Sequence, residues 1–293
     1  MTVVLQHLDF GTDVGTTPED FGTRGERPTH PLLLDWLAVD FMAKGWSMKG
    51  LHRQIVMSST YRQASEVRPE VFEEDPLNQL YARGPRFRLS AEFVRDTALA
   101  VSGLLDTTLH GPPTYPPQPK GLWRLTGDIS RTPYMESEGK DRYRRGLYTV
   151  WRRSTPYPSF TNFDAPDRSA SCVQRSRTNT ALQALNLLND PAYVEAAVAL
   201  ARRIQEAPGA KGVPEKVRYG LRLALAREPT RVELRRIEKL YRDERARFQA
   251  DPEKAQALLE PWGVNPAEST GELAAWFFVA NVLLNLDETI TKS

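Results

Sequence analysis

The sequence has few of the residues that build disulfides and metal centres. Its 293 residues include one cysteine, Cys172, and four histidines. A single cysteine excludes an internal disulfide and every metal site that needs several thiolates. The four histidines are His7, His30, His52 and His110. Because they lie far apart along the chain, we expect neither a histidine-rich metal site nor any cofactor held by this chain itself.

An excess of charge and a long apolar run are also missing. The 39 basic residues nearly cancel the 37 acidic ones and leave a net charge of +2. This balance provides no long-range attraction to nucleic acid or to an anionic membrane, so we expect neither as a partner. The longest apolar run, residues 274–286, is interrupted by asparagines and is too short to span a bilayer. Polar residues soon after Met1 argue against a secretory signal peptide there.

Helix-start signals are abundant. Thr180, Thr230 and Ser269 are each followed three residues later by Gln or Glu, which is the pattern of a capping box. We therefore expect helices to begin within two residues of these three positions. Asp190 before Pro191 is a further start signal. The predicted fold is mainly α: an irregular multi-helix bundle with long polar or Pro-rich loops and at most one short strand pair.

Two predicted helices have clear apolar faces. After the proline at position 31, the helical spacing of Leu33, Trp36, Leu37 and Phe41 predicts one apolar stripe. Near the C-terminus, residues 273–284 form a stripe so wide that the helix is expected to be deeply buried.

The domain organisation is predicted from composition. Residues 1–28 are rich in Gly, Thr and Asp and are interpreted as an N-terminal arm or loop. Residues 29–293 are predicted to form a single α-helical domain. If this domain is subdivided, we expect the boundary at the Pro-rich segment 111–122. We interpret that segment as a strap along the surface, because Tyr115 and its neighbours are too apolar for a free linker. The segment 145–153 is β-branched and aromatic enough to predict a short strand or an extended rib.

The residues with chemical potential concentrate between positions 143 and 190. The candidate catalytic groups there are Asp164, Asp167 and Cys172. The candidate ligand-binding residues are Arg152, Arg153, Arg168, Arg175, Arg177, Asn179, Thr180 and Gln183.

Three interpretations of this segment stay open. In the structural one, arginines pair with Asp164, Asp167 and main-chain carbonyls to pin an irregular loop, and such pairing is the usual role of arginine and aspartate in loops. In the binding one, arginines and the free N–H groups at the start of the Thr180 helix hold a sulfate, phosphate or carboxylate. In the catalytic one, neighbouring cations lower the pKa of Cys172 and make it a nucleophile.

No catalytic motif decides between these interpretations. The sequence contains no glycine-rich phosphate loop, no G-x-S-x-G elbow, no H-E-x-x-H and no C-x-x-C-H. We expect a binding or interaction module with an anion or acidic-glycan site. The alternatives are a hydrolase and a structural domain that docks onto a partner through the strap.

Five ordered stretches together carry a family resemblance. They read TPEDFGTRGERPTHPLLLDWLA, GWSMKGLHRQIVMSSTYRQAS, YRRGLYTVWRRSTPYPSFTNFDAPDR, RTNTALQALNLLNDP and LAAWFFVANVLLNLDETITK. From about residue 17 to 292, the chain resembles the PSD-one domain, a C-terminal domain of unknown function in large secreted planctomycete proteins.

The resemblance implies a setting more than an activity. It implies a periplasmic or secreted location and, as partner, a c-type cytochrome domain or a companion secreted protein, with any haem held only in that partner. For the two alternatives, it implies that a hydrolase would act on acidic or sulfated polysaccharide and that a structural domain would dock onto a c-type cytochrome. The chain has no haem-attachment motif of its own, so we expect a shortened or split member of the family.

Overall fold

Helices supply most of the regular structure, which confirms the mainly α prediction. A computed structural model describes residues 23–25, 27–125 and 134–292, so most of the predicted arm 1–28 lies outside the described residues. The helices are α1 Pro31–Ala43, α2 Met48–Met57, α3 Pro69–Glu74, α4 Ala91–Ser102, α5 Leu122–Leu125, α6 Pro158–Asn162, α7 Ala181–Asn189, α8 Pro191–Gln205, α9 Val213–Leu225, α10 Arg231–Ala250, α11 Pro252–Leu259, α12 Gly271–Leu284 and α13 Asp287–Ile290. Strands β1 Phe87–Arg88 and β2 Thr291–Lys292 pair antiparallel. Short 3-10 turns span Gly139–Tyr143, Gly146–Tyr148 and Glu260–Trp262.

The three predicted helix starts are confirmed. The Oγ1 atoms of Thr180 and Thr230 accept N–H bonds from the residues three positions later, at 3.3 and 3.2 Å. The third helix is capped one residue later than its sequence signal, because Thr270 and not Ser269 accepts the first-turn N–H. The Ser269 hydroxyl instead donates to the carbonyl of Asn265, 3.0 Å away. Capping chemistry thus sets where the helices begin.

The larger of two compact units comprises residues 89–170 and 176–290 and is built around α12. This helix packs against α8 and α10, and Trp276 on it is completely buried. The Trp276 indole stacks on the ring of Tyr241 from α10, with centroids 4.1 Å apart. On α9, a Cβ at Gly220 would lie only 2.8 Å from Cδ1 of Ile204, so glycine lets α9 approach α8. The predicted deep burial of the C-terminal helix is confirmed.

Of the described residues, the smaller unit comprises 23–25, 27–88, 171–175 and 291–292. Its described core is a cluster of Leu37 and Phe41 from α1 with two residues of α2. Leu33 and Trp36, the other half of the predicted stripe on α1, are exposed. The four-residue stripe is therefore buried only in part, since the short helix α2 covers one side of α1.

No regular strand forms at 145–153, where the sequence predicts a short strand or an extended rib. The segment contains a 3-10 turn and an isolated bridge from Thr149 to Thr114, and Arg144 just before it bridges to Asp106. Gly146 explains the turn: a Cβ there would lie 2.9 Å from the Cα of Glu92, so the chain passes directly over α4. β-branched residues favour extended backbone, but here the close passage over a helix leaves no continuous strand partner.

The Pro-rich segment 111–122 lies within the larger unit, as a packed strap. The side chain of Thr114 is fully buried, and its backbone exchanges hydrogen bonds with Tyr148 and Val150 at 2.7 and 2.8 Å. Rings of Tyr115, Trp123 and Tyr134 meet edge to face. The single domain over 29–293 stays a prediction. In the described part of the chain, no helix combines the length and hydropathy needed to cross a membrane.

Truncating the aromatic side chains of α12 should destabilise the protein strongly. We expect Trp276→Ala and Phe277→Ala each to lower the free energy of unfolding by about 3–5 kcal/mol, since each leaves a cavity in the core. Denaturant unfolding at constant pH measures this. Phe93→Ala is the matched control, because Phe93 on α4 is exposed and its truncation should cost below about 0.5 kcal/mol. Equal, small losses in all three variants would contradict the central position of α12.

Candidate functional site

A strained loop after α6 is fixed to the start of α7 by side-chain hydrogen bonds. Asp164 has a left-handed φ of 58°, and its carboxylate accepts bonds from the N–H of Thr178 at 2.7 Å and from its hydroxyl at 2.8 Å. The Thr178 oxygens in turn accept from Nε2 of Gln183, at 3.2 and 3.3 Å. The chain Asp164–Thr178–Gln183 therefore ties the loop to the first turn of α7.

The inner face of α7 continues this polar network. Asn186 donates to the Oγ of Ser159 at 2.9 Å and accepts from the amide of Asn162 at 3.0 Å. Gln183, one turn earlier, is buried on the same face. These bonds connect α7 to α6 and fix how α7 is rotated about its axis.

Arg168 stands at the outer end of the same loop. It is exposed, has a φ of 61°, and its guanidinium lies over the Trp151 ring, 4.4 Å from the centroid. The Trp151 indole N–H donates to the carbonyl of Asp167 at 3.4 Å. This bond holds the indole ring in place against the Arg168 guanidinium. Among the described residues, neither Arg168 nor the exposed Arg153 has an Asp or Glu within ion-pair distance.

The two aspartates of the loop bind hydroxyl and amide groups rather than arginines. Asp164 accepts from the N–H of Thr178, and Asp167 accepts from the N–H and hydroxyl of Ser169 at 2.9 and 2.8 Å. The hydroxyl and N–H bonds from Ser169 hold the pKa of Asp167 below its usual value. Their role in pinning the loop agrees with the structural interpretation, but the arginine partners expected for them are replaced by Thr178 and Ser169.

The other predicted site residues are distributed around this loop. Arg152 is half-buried with its guanidinium over Trp123, 4.1 Å from the ring centroid. The residues at the start of α7, Arg177, Asn179 and Thr180, are exposed. Cys172 and Arg175 belong to the smaller unit, where the exposed Cys172 thiol donates to the carbonyl of Gln174 at 3.3 Å. Within the described residues no group of three His, Cys, Asp or Glu side chains is placed to bind a metal ion.

Arg95, which was not among the predicted site residues, is buried in the larger unit, as is Arg144. Only 2% of it is exposed, and its two terminal nitrogens donate to the carbonyls of Arg144 and Arg142 at 2.6 and 2.7 Å. Arg142 itself pairs with Glu195 at 2.5 Å and Glu136 at 3.0 Å. A signal was present in the sequence: Arg95 lies on the apolar face of α4 formed by Ala91, Val94 and Ala98.

Two half-buried carboxyl groups lie near this arginine network. Asp96 accepts the N–H of Gly146 at 2.6 Å, and burial raises its pKa. Asp190 caps α8 by accepting the N–H of Ala192 at 2.9 Å. Burial raises the pKa of Asp190 to about 6, although the Ala192 N–H and the charge of Arg95 act in the opposite direction.

Comparison with known families decides where this chain belongs. The model of PSD1, described as a protein of unknown function (DUF1553), matches residues 5–241. The chain belongs to the PSD1 family. This confirms the resemblance seen in the sequence, and the match includes both the Arg168 loop and Arg95. No curated protein and no solved structure matches the chain. PSD1 membership therefore assigns no activity to the chain, because the family is described as one of unknown function.

Removing the buried guanidinium should destabilise the larger unit. We expect Arg95→Ala to lower the free energy of unfolding by about 3–5 kcal/mol, because the carbonyls of Arg142 and Arg144 lose their donors inside the protein. Arg95→Lys should recover only part of this loss, since one ammonium cannot reproduce the guanidinium fork. Denaturant unfolding measures both. Arg235→Ala, on the exposed side of α10, is the control and should be nearly neutral.

Asp190 should make stability depend on pH. Its raised pKa means that the folded state binds the proton more tightly than the unfolded state, so its contribution is present below about pH 4 and is lost as the pH rises through about 6. Asp190→Asn keeps a capping oxygen but cannot ionise. We therefore expect the variant to gain about 1–3 kcal/mol over the wild type between pH 4 and 7. Parallel stability curves across this range would contradict the assignment.

Proposed function

We propose that this PSD1 chain is a binding module for ligands with anionic groups, and that Arg168 is its principal contact. The observation that carries the proposal is the exposed Arg168 guanidinium, which lies on the Trp151 ring and has no carboxylate partner among the described residues. Arginines in irregular loops usually pair with nearby acids, yet both acids of this loop bind hydroxyl and amide groups. The cationic group is thus left available to a ligand.

Stacking gives Arg168 the properties of a prepared binding group. The indole face attracts the cation and limits the rotation of its side chain, while the N–H edge of the guanidinium remains in solvent. That edge matches the paired oxygens of a sulfate or carboxylate. The left-handed backbone at Asp164 and Arg168 supports the proposal further, since such strain in non-glycine residues is concentrated at functional sites.

The surroundings of Arg168 add positive potential. We define the arginine surface as Arg153, Arg168 and Arg177 together with the first turn of α7. All three arginines are exposed, and a helix N-terminus carries partial positive charge. A ligand with several sulfate or carboxylate groups, such as an acidic glycan, would engage more than one of these groups. An extracytoplasmic location and a neighbouring c-type cytochrome domain complete the proposed setting.

The hydrolase alternative receives no specific support. A general acid or base must be within reach of a substrate proton. The Asp164 carboxylate accepts a hydrogen bond from Thr178, and the Asp167 carboxylate accepts one from Ser169. The thiol of Cys172 donates to a backbone carbonyl. Their roles in the described geometry are those of loop-fixing groups.

Sulfate and a sulfated oligosaccharide should stabilise the wild-type protein in a saturable way. We expect Arg168→Ala to abolish the saturable part of the rise in melting temperature and Arg168→Lys to restore part of it, because a ligand that binds only the folded state stabilises it by mass action. Arg177→Ala should reduce the rise. The measurement is a melting curve at increasing ligand concentration and constant ionic strength, with chloride as reference because sulfate also stabilises proteins nonspecifically.

Two controls separate binding from other effects. Arg235→Ala removes an equally exposed arginine from α10 and should leave the response unchanged. Cys172→Ser should leave anion binding intact and tests the catalytic interpretation of the thiol. An unsaturable response that is the same in wild type and Arg168→Ala would refute the proposed site.

A further inference from the structure

The Tyr157 hydroxyl is a polar group inside the core of the larger unit. Tyr157 immediately precedes α6, and only 3% of it is exposed. Its hydroxyl has no hydrogen-bond partner among the described residues. A phenol hydroxyl can donate one bond and accept others, and leaving it unpaired inside a protein costs free energy. Buried side-chain oxygens nearly always have a protein or water partner, so Tyr157 needs one.

The Asp190 carboxylate is the charged group that acts most strongly on this hydroxyl. Burial raises the pKa of Tyr157 well above its ordinary value, and the charge of Asp190 raises it further. Asp190 lies between α7 and α8, and within the described residues only its Oδ1 accepts a hydrogen bond, from the N–H of Ala192. A carboxylate can accept on both oxygens. Asp190 thus offers a further acceptor in the neighbourhood of the Tyr157 donor.

Tyr157 and Asp190 make no direct hydrogen bond, and a third polar group lies beside them. The Tyr193 hydroxyl has one long contact, 3.5 Å to the Oγ of Ser159. Burial raises the pKa of Tyr193, and the charge of Asp190 acts in the same direction. A water molecule is stable inside a protein where a few polar groups surround it. The two hydroxyls and the carboxylate provide such a set.

We propose that one water molecule is bound between Tyr157 and Asp190. The water accepts a hydrogen bond from the Tyr157 hydroxyl and donates one to the Asp190 carboxylate, with the Tyr193 hydroxyl as its third neighbour. It connects the residue before α6 to the residue that caps α8, as a direct bond would. One carboxylate and two neutral hydroxyls are too few ligands for Ca²⁺ or Mg²⁺, which take many oxygens, so the site is one for water.

The charges around Asp190 set how this bond responds to pH. The guanidinium of Arg95 on α4 favours the ionised carboxylate, and Glu195 on α8 disfavours it. Tyr157 and Tyr193 stay neutral, because burial raises the pKa of both. The water favours the ionised carboxylate as well, since that form is the stronger acceptor. Removing the Tyr157 hydroxyl should therefore raise the pH at which Asp190 takes up its proton.

Tyr157→Phe in the full chain tests the water site by the sign of its effect. If the water joins the hydroxyl to Asp190, the variant loses a hydrogen bond, and its melting temperature at pH 7 should fall by about 2–4 °C. If the hydroxyl has no partner, the variant removes an unpaired polar group from the core, and its melting temperature should stay the same or rise. That second result would overturn the proposal.

Carbon-13 NMR of the Asp190 carboxyl group provides a readout that loss of packing alone would not move. We expect the titration midpoint of Asp190 to lie about half a pH unit higher in Tyr157→Phe than in the wild type, the equivalent of a weak hydrogen bond. Tyr219→Phe is the matched control, since its hydroxyl belongs to the same unit but lies beside Arg203, 3.4 Å from Nε. An unchanged midpoint in Tyr157→Phe, or equal shifts in both variants, would contradict the link.

A high-resolution crystal structure of the wild type gives the direct test. We expect density for one water molecule within hydrogen-bond distance of both the Tyr157 hydroxyl and an Asp190 oxygen. A direct bond between the two side chains, or a hydroxyl with no water beside it, would rule the site out. The inference is independent of the proposed anion site, and Tyr157→Phe should leave the sulfate response unchanged.

Discussion

Side chains that bind backbone groups are the constraint on which the irregular part of this PSD1 chain depends. Arg95 holds the carbonyls of Arg142 and Arg144 inside the larger unit. On the same helix, Asp96 accepts the N–H of Gly146. Helix α4 therefore supplies both a donor and an acceptor to a segment that contains only short 3-10 turns and an isolated bridge. Buried backbone polar groups need partners, and α4 provides them from its own side chains.

The same principle positions the candidate site. Asp164 holds the N–H of Thr178, and this bond keeps the loop that presents Arg168 in its left-handed conformation. Strain of this kind persists only where surrounding bonds fix it. Rigidity in the loop is what would make an exposed arginine a selective anion contact, because little conformational freedom is then lost on binding.

Local signals predicted more of the fold than of the site. Thr180 and Thr230 cap their helices as expected, since capping depends on residues within one turn. The wide apolar face of α12 correctly predicted its burial. No regular strand forms at 145–153, because tertiary contact with α4 overrides β-propensity. The partners of Asp164 and Asp167 could not be predicted either, because sequence spacing does not reveal which polar group meets which. Arg95 was detectable as a charge on an apolar face.

Native-state hydrogen exchange of two amides gives the most direct test of the account. It measures whether side-chain hydrogen bonds protect the irregular segments from local opening as well as backbone hydrogen bonds protect an α-helix. The N–H of Gly146, at the start of a 3-10 turn, and that of Thr178, in a loop, both donate to half-buried carboxylates and take part in no α-helix. We expect both to exchange only through large-scale unfolding, with protection comparable to that of amides in α8. Rapid exchange of these two amides in a protein whose α8 remains protected would contradict the account.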